Sequence, residues 1–197
     1  MICGIHQPNF FPFVPIMEKI RQSDIFVILV NCQYEKSNYQ NRFYINSTHQ
    51  YYTMPVNKGR LADTIENKTY IDPVHNWNKI KMALIRRYQK LEGKLGLFDS
   101  CFTDNSLFRT NIRIISKMCE LLNIDVDKIQ LDYKTELRGT ARLVDICQYY
   151  GCDEYIVGKS GINYGEFADF EKAKIKTRLF DYSKVPMVSF MEYYYGI

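Results

Sequence analysis

The chain has 197 residues, enough for one well-buried domain and short for two. With 46% hydrophobic and 24% charged residues, its composition is that of an ordinary globular protein and excludes a disordered or low-complexity one. The net charge of +4 is too small to argue for a nucleic-acid partner, although its sign suits an anionic ligand.

The first apolar run, Met1-Ile2-Cys3, reads as a strand and is broken at once by His6-Gln7-Pro8. Neither a signal peptide nor a membrane span is expected, and the sequence places the protein in the cytoplasm. Ile16, Met17 and Ile20 then mark one face of a helix, and Asp24 to Val30 reads as a second strand. A strand, helix, strand unit of this kind makes a parallel pair, so the turn Gln7-Pro8-Asn9 opens at the carboxyl edge of the sheet, where open α/β sheets bind ligands.

Asn31 to Arg42 is almost wholly polar. Two β-like runs, 43–45 and 51–56, follow it, joined by the hairpin chemistry of Asn46-Ser47-Thr48-His49-Gln50. A third β-like run at 68–71 ends at Asp72-Pro73, so residues 40–72 are expected to form a small antiparallel insertion. Helical spacing then runs from 76 to 91 and from 106 to 122, ahead of a strand at 129–133. Gly139-Thr140 opens another helix, capped by Gly151, and Glu154 to Val157 is a buried strand leading into Gly158-Lys159-Ser160-Gly161. A segment around 166–174, a strand at 175–180 and an aromatic helix at 186–195 close the chain. The alternation predicts an α/β fold: a single domain over residues 1–197 with a Rossmann-like, mostly parallel sheet flanked by helices.

His6 is the candidate catalytic residue, since a histidine at a strand end can act as an acid, a base or a donor to phosphate near neutral pH. The competing reading is a turn histidine bonded to its own backbone. Gln7 and Asn9 flank it and can bind substrate. The Gly158 to Gly161 turn frees backbone N–H groups for an anion, with Lys159 adding a charge and Ser160 a hydroxyl, although such turns also occur as plain connections. In the polar stretch, Lys36 and Arg42 suit phosphate or carboxylate, and Gln33, Asn38 and Asn41 suit hydroxyls. Six cysteines without a Cys-x-x-Cys pair read as free thiols, no metal site is expected, and no cofactor is identified. The turn after the first strand has no glycine and is not a P-loop.

Several of these stretches together carry a resemblance. Ile5-His6-Gln7-Pro8-Asn9-Phe10-Phe11-Pro12, Lys19-Ile20, Ser23-Asp24-Ile25-Phe26-Val27, Gln33-Tyr34-Glu35-Lys36 and Asn41-Arg42 are similar to the opening of the WbqC-like family of bacterial proteins. The similarity continues at Thr53-Met54-Pro55-Val56, at Tyr155 to Tyr164, and from Ser189-Phe190 to Gly196. Because such proteins are commonly encoded among genes for O-antigen and other surface polysaccharides, the resemblance implies a role in making or decorating an activated sugar, and the expected function is that of a bacterial transferase acting on a nucleotide-linked, amino-bearing sugar. A nucleotidyltransferase-like enzyme or a non-catalytic partner of a pathway enzyme are the alternatives, and a homo-oligomer is compatible with either. His6, Gln7, Asn9, Gln33, Lys36, Asn41, Arg42, Ser160 and Tyr164 match the motif positions. Val30-Asn31-Cys32 stands where relatives often carry acidic residues.

Overall fold

A computed structural model describes residues 1–59, 63–158 and 167–197. Among these residues, β1 (Ile2–His6) sits at the centre of a five-stranded sheet. It pairs on one side with β2 (Ile25–Ile28), Cys3 opposite Ile25 and His6 opposite Ile28. On the other side it pairs with β6 (Glu154–Val157), Gly4 opposite Ile156. The outer strands are β5 (Ile129–Leu131) beside β2 and β7 (Lys176–Leu179) beside β6, and every pair is parallel. The order β5-β2-β1-β6-β7 means that the chain winds outward from β1 on one side and then crosses to the other. Its topological switch point lies between β1 and β6, and the expected α/β architecture with a mostly parallel sheet is what is found.

Alternation along the strands fixes two cores. Phe26 and Ile28 face one that contains Met17 and Ile20 of α1 (Val14–Gln22), Trp77 and Leu84 of α2 (Pro73–Arg87), and Ile114 and Met118 of α3 (Leu107–Leu121). Cys3, Ile5, Val27, Tyr155 and Val157 face the other, with Ile146 and Cys147 of α4 (Gly139–Tyr149) and Phe170 of α5 (Phe167–Lys172). Close packing of α1 on the sheet uses the missing side chain at Gly4. A Cβ there would lie 2.3 Å from Ser23 Oγ and 2.7 Å from the Phe26 ring. Gly4→Ala is therefore expected to destabilise the fold by about 1–3 kcal/mol through overpacking, read as a lower urea midpoint at an unchanged m-value.

The antiparallel insertion consists of β3 (Arg42–Ile45) and β4 (Gln50–Thr53), Arg42 opposite Thr53 and Ile45 opposite Gln50. A 3-10 turn, Asn46–Thr48, joins them, with His49 at φ 53° and hydrogen-bonded at 2.7 Å to the Tyr44 hydroxyl. The run expected as a strand at 68–71 is instead two single bridges, Val56 to Tyr70 and Thr69 to Ser106. Its backbone is shared between two partners, Tyr70 N donating to Asn105 O and Ile71 N to Pro55 O, and neither extends into a ladder.

Two boundaries also move from where periodicity alone puts them. α2 begins at Pro73 because Asp72 caps it, accepting from His75 N. The final helix, α6 (Phe190–Tyr195), begins at Phe190 rather than Pro186 because its N-cap, Ser189, forms a capping box with Glu192. The Glu192 carboxylate also accepts from Asn46 N at 3.0 Å and Ser47 N at 2.7 Å, which ties the hairpin turn to the end of the chain. No helix among the described residues is long and apolar enough to cross a membrane.

Candidate functional site

A crevice of about 880 Å³ opens where β1 and β6 end, at the switch point. This volume suits a small-molecule ligand. His6, Gln7, Asn9, Lys19, Tyr155 and Gly158 line it near the strand ends. Phe13, Tyr39, Tyr44, Phe180 and Tyr182 bring rings to its walls. A second cleft of about 530 Å³, between Asn31, Glu66 and Lys134, carries both signs of charge and contains no residue of the β1 or β6 ends. Its Lys134 and Glu66 already pair at 3.6 Å.

The turn after β1 is held rigidly. Phe10 and Phe11 enter the core, where Phe11 stacks on Trp77 at 5.4 Å and meets Phe98 edge-on at 4.9 Å. The amide of Asn111 on α3 donates at 2.7 Å to the carbonyls of both Pro8 and Gln40. Gln7 accepts from the Gln40 amide at 2.6 Å and approaches Cys32 Sγ at 3.4 Å, while Phe10 N donates to Tyr39 O. The polar stretch is thereby drawn over the turn, bringing Glu35, Asn38 and Tyr39 to the crevice wall.

His6 is half-buried, and its Nδ1 lies 2.9 Å from the Gln7 carbonyl oxygen. A carbonyl only accepts, so Nδ1 carries the proton and Nε2 keeps its lone pair. Burial, reinforced by the Lys19 cation and opposed by the Gln7 carbonyl, pushes the His6 pKa down to about 4. The imidazole is therefore neutral at pH 7. Because the folded pKa lies below the ordinary 6.5, the unfolded chain binds the extra proton between about pH 6.5 and 4. Stability from this group is present above pH 6.5 and is lost as pH falls toward 4. The wild-type protein should consequently lose more stability across that interval than His6→Gln does, as denaturant titrations at successive pH values would measure.

The remaining sequence candidates divide. Asn9 is 7% exposed, lines the crevice, and makes no side-chain hydrogen bond among the described residues. Asn41 is buried as a brace, donating to Met54 O at 2.8 Å. Arg42 lays its guanidinium over the Tyr51 ring at 4.2 Å, and Lys36 and Gln33 are exposed; none of these four lines the crevice. Lys159, Ser160, Gly161 and Tyr164 lie outside the described residues, though the adjoining Gly158 is part of the crevice.

Sequence reasoning about the site missed Lys19. It is 5% exposed, donates to the Ile5 carbonyl at 3.0 Å, and sits 5.4 Å from the centre of the Tyr155 ring. Burial lowers its pKa to about 8. The available signal was spacing: Pro15, Ile16 and Lys19 are three and four residues apart on α1, and all three line the crevice.

The sequence model of the WbqC-like protein family matches residues 7–193. The chain is also 27% identical over 189 residues to the uncharacterized protein Rv1507c of Mycobacterium tuberculosis (strain ATCC 25618 / H37Rv), a match covering 91% of this chain and 81% of that relative. No solved structure matches the chain.

Proposed function

The chain belongs to the WbqC-like protein family, and from that premise we propose that it is a transferase modifying a nucleotide-linked, amino-bearing sugar in the biosynthesis of O-antigen or a related bacterial surface polysaccharide. Membership suggests a protein associated with polysaccharide gene clusters, and the crevice supports the finer reading. The observation that carries it is a neutral imidazole, with Nε2 free, on the wall of a switch-point crevice large enough for such a ligand. In this reading His6 accepts the proton of the sugar amine or hydroxyl as that group attacks the donor. Asn9, with an uncommitted amide, reads a sugar hydroxyl, and the turn from Gly158 through Lys159, Ser160 and Gly161 contacts phosphate. Gln7 and Asn41 act one step back, by fixing the loop that forms the wall.

The test is a thermal-shift panel of nucleotides, nucleotide-linked sugars and acyl donors on the wild-type protein and on Asn9→Ala. A ligand at a hundred times its dissociation constant adds about 2.7 kcal/mol to stability, which is readily seen in Tm. Stabilisation by a nucleotide-linked sugar, weakened in Asn9→Ala, is the expected result. No shift with any of these ligands would overturn the proposal in favour of a non-catalytic partner.

A further inference from the structure

We infer that Lys19 is the anion anchor of the crevice, holding a phosphoryl group of the ligand. The inference rests on the crevice being the substrate site and names the charge that the site is built to take.

Three cationic side chains among the described residues are more than nine-tenths buried: Lys19, Lys68 and Arg142. Lys68 pairs with Asp63 at 2.9 Å, and Arg142 pairs with Asp132. Lys19 has no carboxylate within ion-pair distance among the described residues. A charge taken out of water is costly unless it is paired, so two of the three buried cations are compensated internally and the third is not.

The groups facing Lys19 do not supply the missing charge. His6 on β1 is neutral. The Cys3 thiol on β1 is pushed far upward and stays protonated, and Cys147 on α4 lies with it in the same apolar core. The Tyr155 phenol on β6 is also pushed up by burial. An ammonium has three donors, and the Ile5 carbonyl takes one of them. Nor does the start of α1 offer the crevice an anion site: Val14 N already donates to Val188 O at 3.1 Å, and Pro15 has no N–H. Among the described residues that line the crevice, the positive charge is that of Lys19.

Phosphoryl fits better than a simple carboxylate because the Lys19 ammonium keeps two donors beyond the one that the Ile5 carbonyl takes, and a phosphoryl group offers three strong acceptor oxygens to meet them.

Calorimetric titration of inorganic phosphate, pyrophosphate, uridine diphosphate and acetate into wild type, Lys19→Met and Lys19→Gln tests the inference. Expected results are that a phosphorylated probe binds wild type more tightly than acetate does, and that affinity falls at least tenfold in Lys19→Met. The unliganded Lys19→Met protein should melt no lower than wild type, because an uncompensated buried charge has been removed; a strut holding α1 to β1 would instead be missed. Lys19→Gln keeps a donor for the Ile5 carbonyl and carries the same binding prediction if Lys19→Met does not fold. Binding unchanged within threefold in the variants, or no phosphorylated probe bound by wild type, overturns the anchor. The transferase reading fails separately. Lys19-dependent binding of inorganic phosphate as tight as that of the nucleotide keeps the anchor and removes the argument for a nucleotide-linked ligand, whereas a nucleotide-linked sugar bound equally by wild type and Lys19→Met removes the anchor alone.

Discussion

On the proposed transferase reading, His6→Gln is expected to turn over a nucleotide-linked sugar about 10²–10⁴-fold more slowly than wild type, the range that a positioned general base contributes. Glutamine fills similar space and can donate to the Gln7 carbonyl as Nδ1 does, so the turn should keep its shape while the accepting nitrogen disappears. The loss should fall on kcat with little change in KM, since the proton moves only in the transition state. Wild type should also show an acid limb in kcat/KM near pH 4, where the free imidazole titrates, and His6→Gln should lack it. In kcat that limb should move to higher pH, because a bound anion favours the protonated ring. Full activity in His6→Gln on the true substrate would remove His6 from the chemistry and leave it a turn residue.

The largest expected effect on stability lies at Asp132, just beyond the end of β5 and 7% exposed. One carboxylate oxygen accepts from Val30 N at 2.8 Å and from the Asn31 side chain at 3.1 Å. The other pairs with Arg142 of α4, which also donates to Asn31 O at 3.0 Å. The group closes the loop after β2 against β5 and α4 at once. Asp132→Ala leaves the guanidinium buried without a counter-charge and strips the loop amides of their acceptor, at a cost of about 3–5 kcal/mol. Replacing both partners, as in Asp132→Leu with Arg142→Met, should cost less than the two single changes combined, because no unpaired charge remains. Chemical denaturation of the two singles and the double measures this coupling, and additive losses would show that the pair does not act as a unit.

Much of this architecture was legible in the residues. Apolar runs separated by helical periods placed β1, α1, β2, α4 and β6, because a short buried strand and an amphipathic helix leave different spacings. The same reading put His6 at a carboxyl edge, since a parallel pair forces the turn to open there. The 3-10 stretch Leu95–Cys101 was not visible: it buries Leu95, Phe98 and Cys101 at a spacing too short for an amphipathic pattern to emerge. The polar stretch was read as one unit, yet Gln40 and Asn41 are buried struts while Lys36 is solvated. Only tertiary partners such as Asn111 and Met54, distant in sequence, separate those roles. Lys19 escaped for a related reason. Lysines on amphipathic helices ordinarily extend to water, so periodicity counts them as solvent-facing unless the strand packed beneath, here through its Ile5 carbonyl, draws the amine inward.

The clasp between Glu192 and the hairpin turn also bears on how the molecule is made. Phe180, Tyr182 and Met187 form part of the crevice, and Glu192 holds the Asn46 end of the opposite wall, so the binding surface is stitched from the earliest and latest parts of the chain. During synthesis β1 and β2 can pair long before the residues that complete the pocket have been polymerised. A chain truncated before α6 would therefore keep the sheet and the crevice residues but lose the clasp that holds the Asn46 end of the wall.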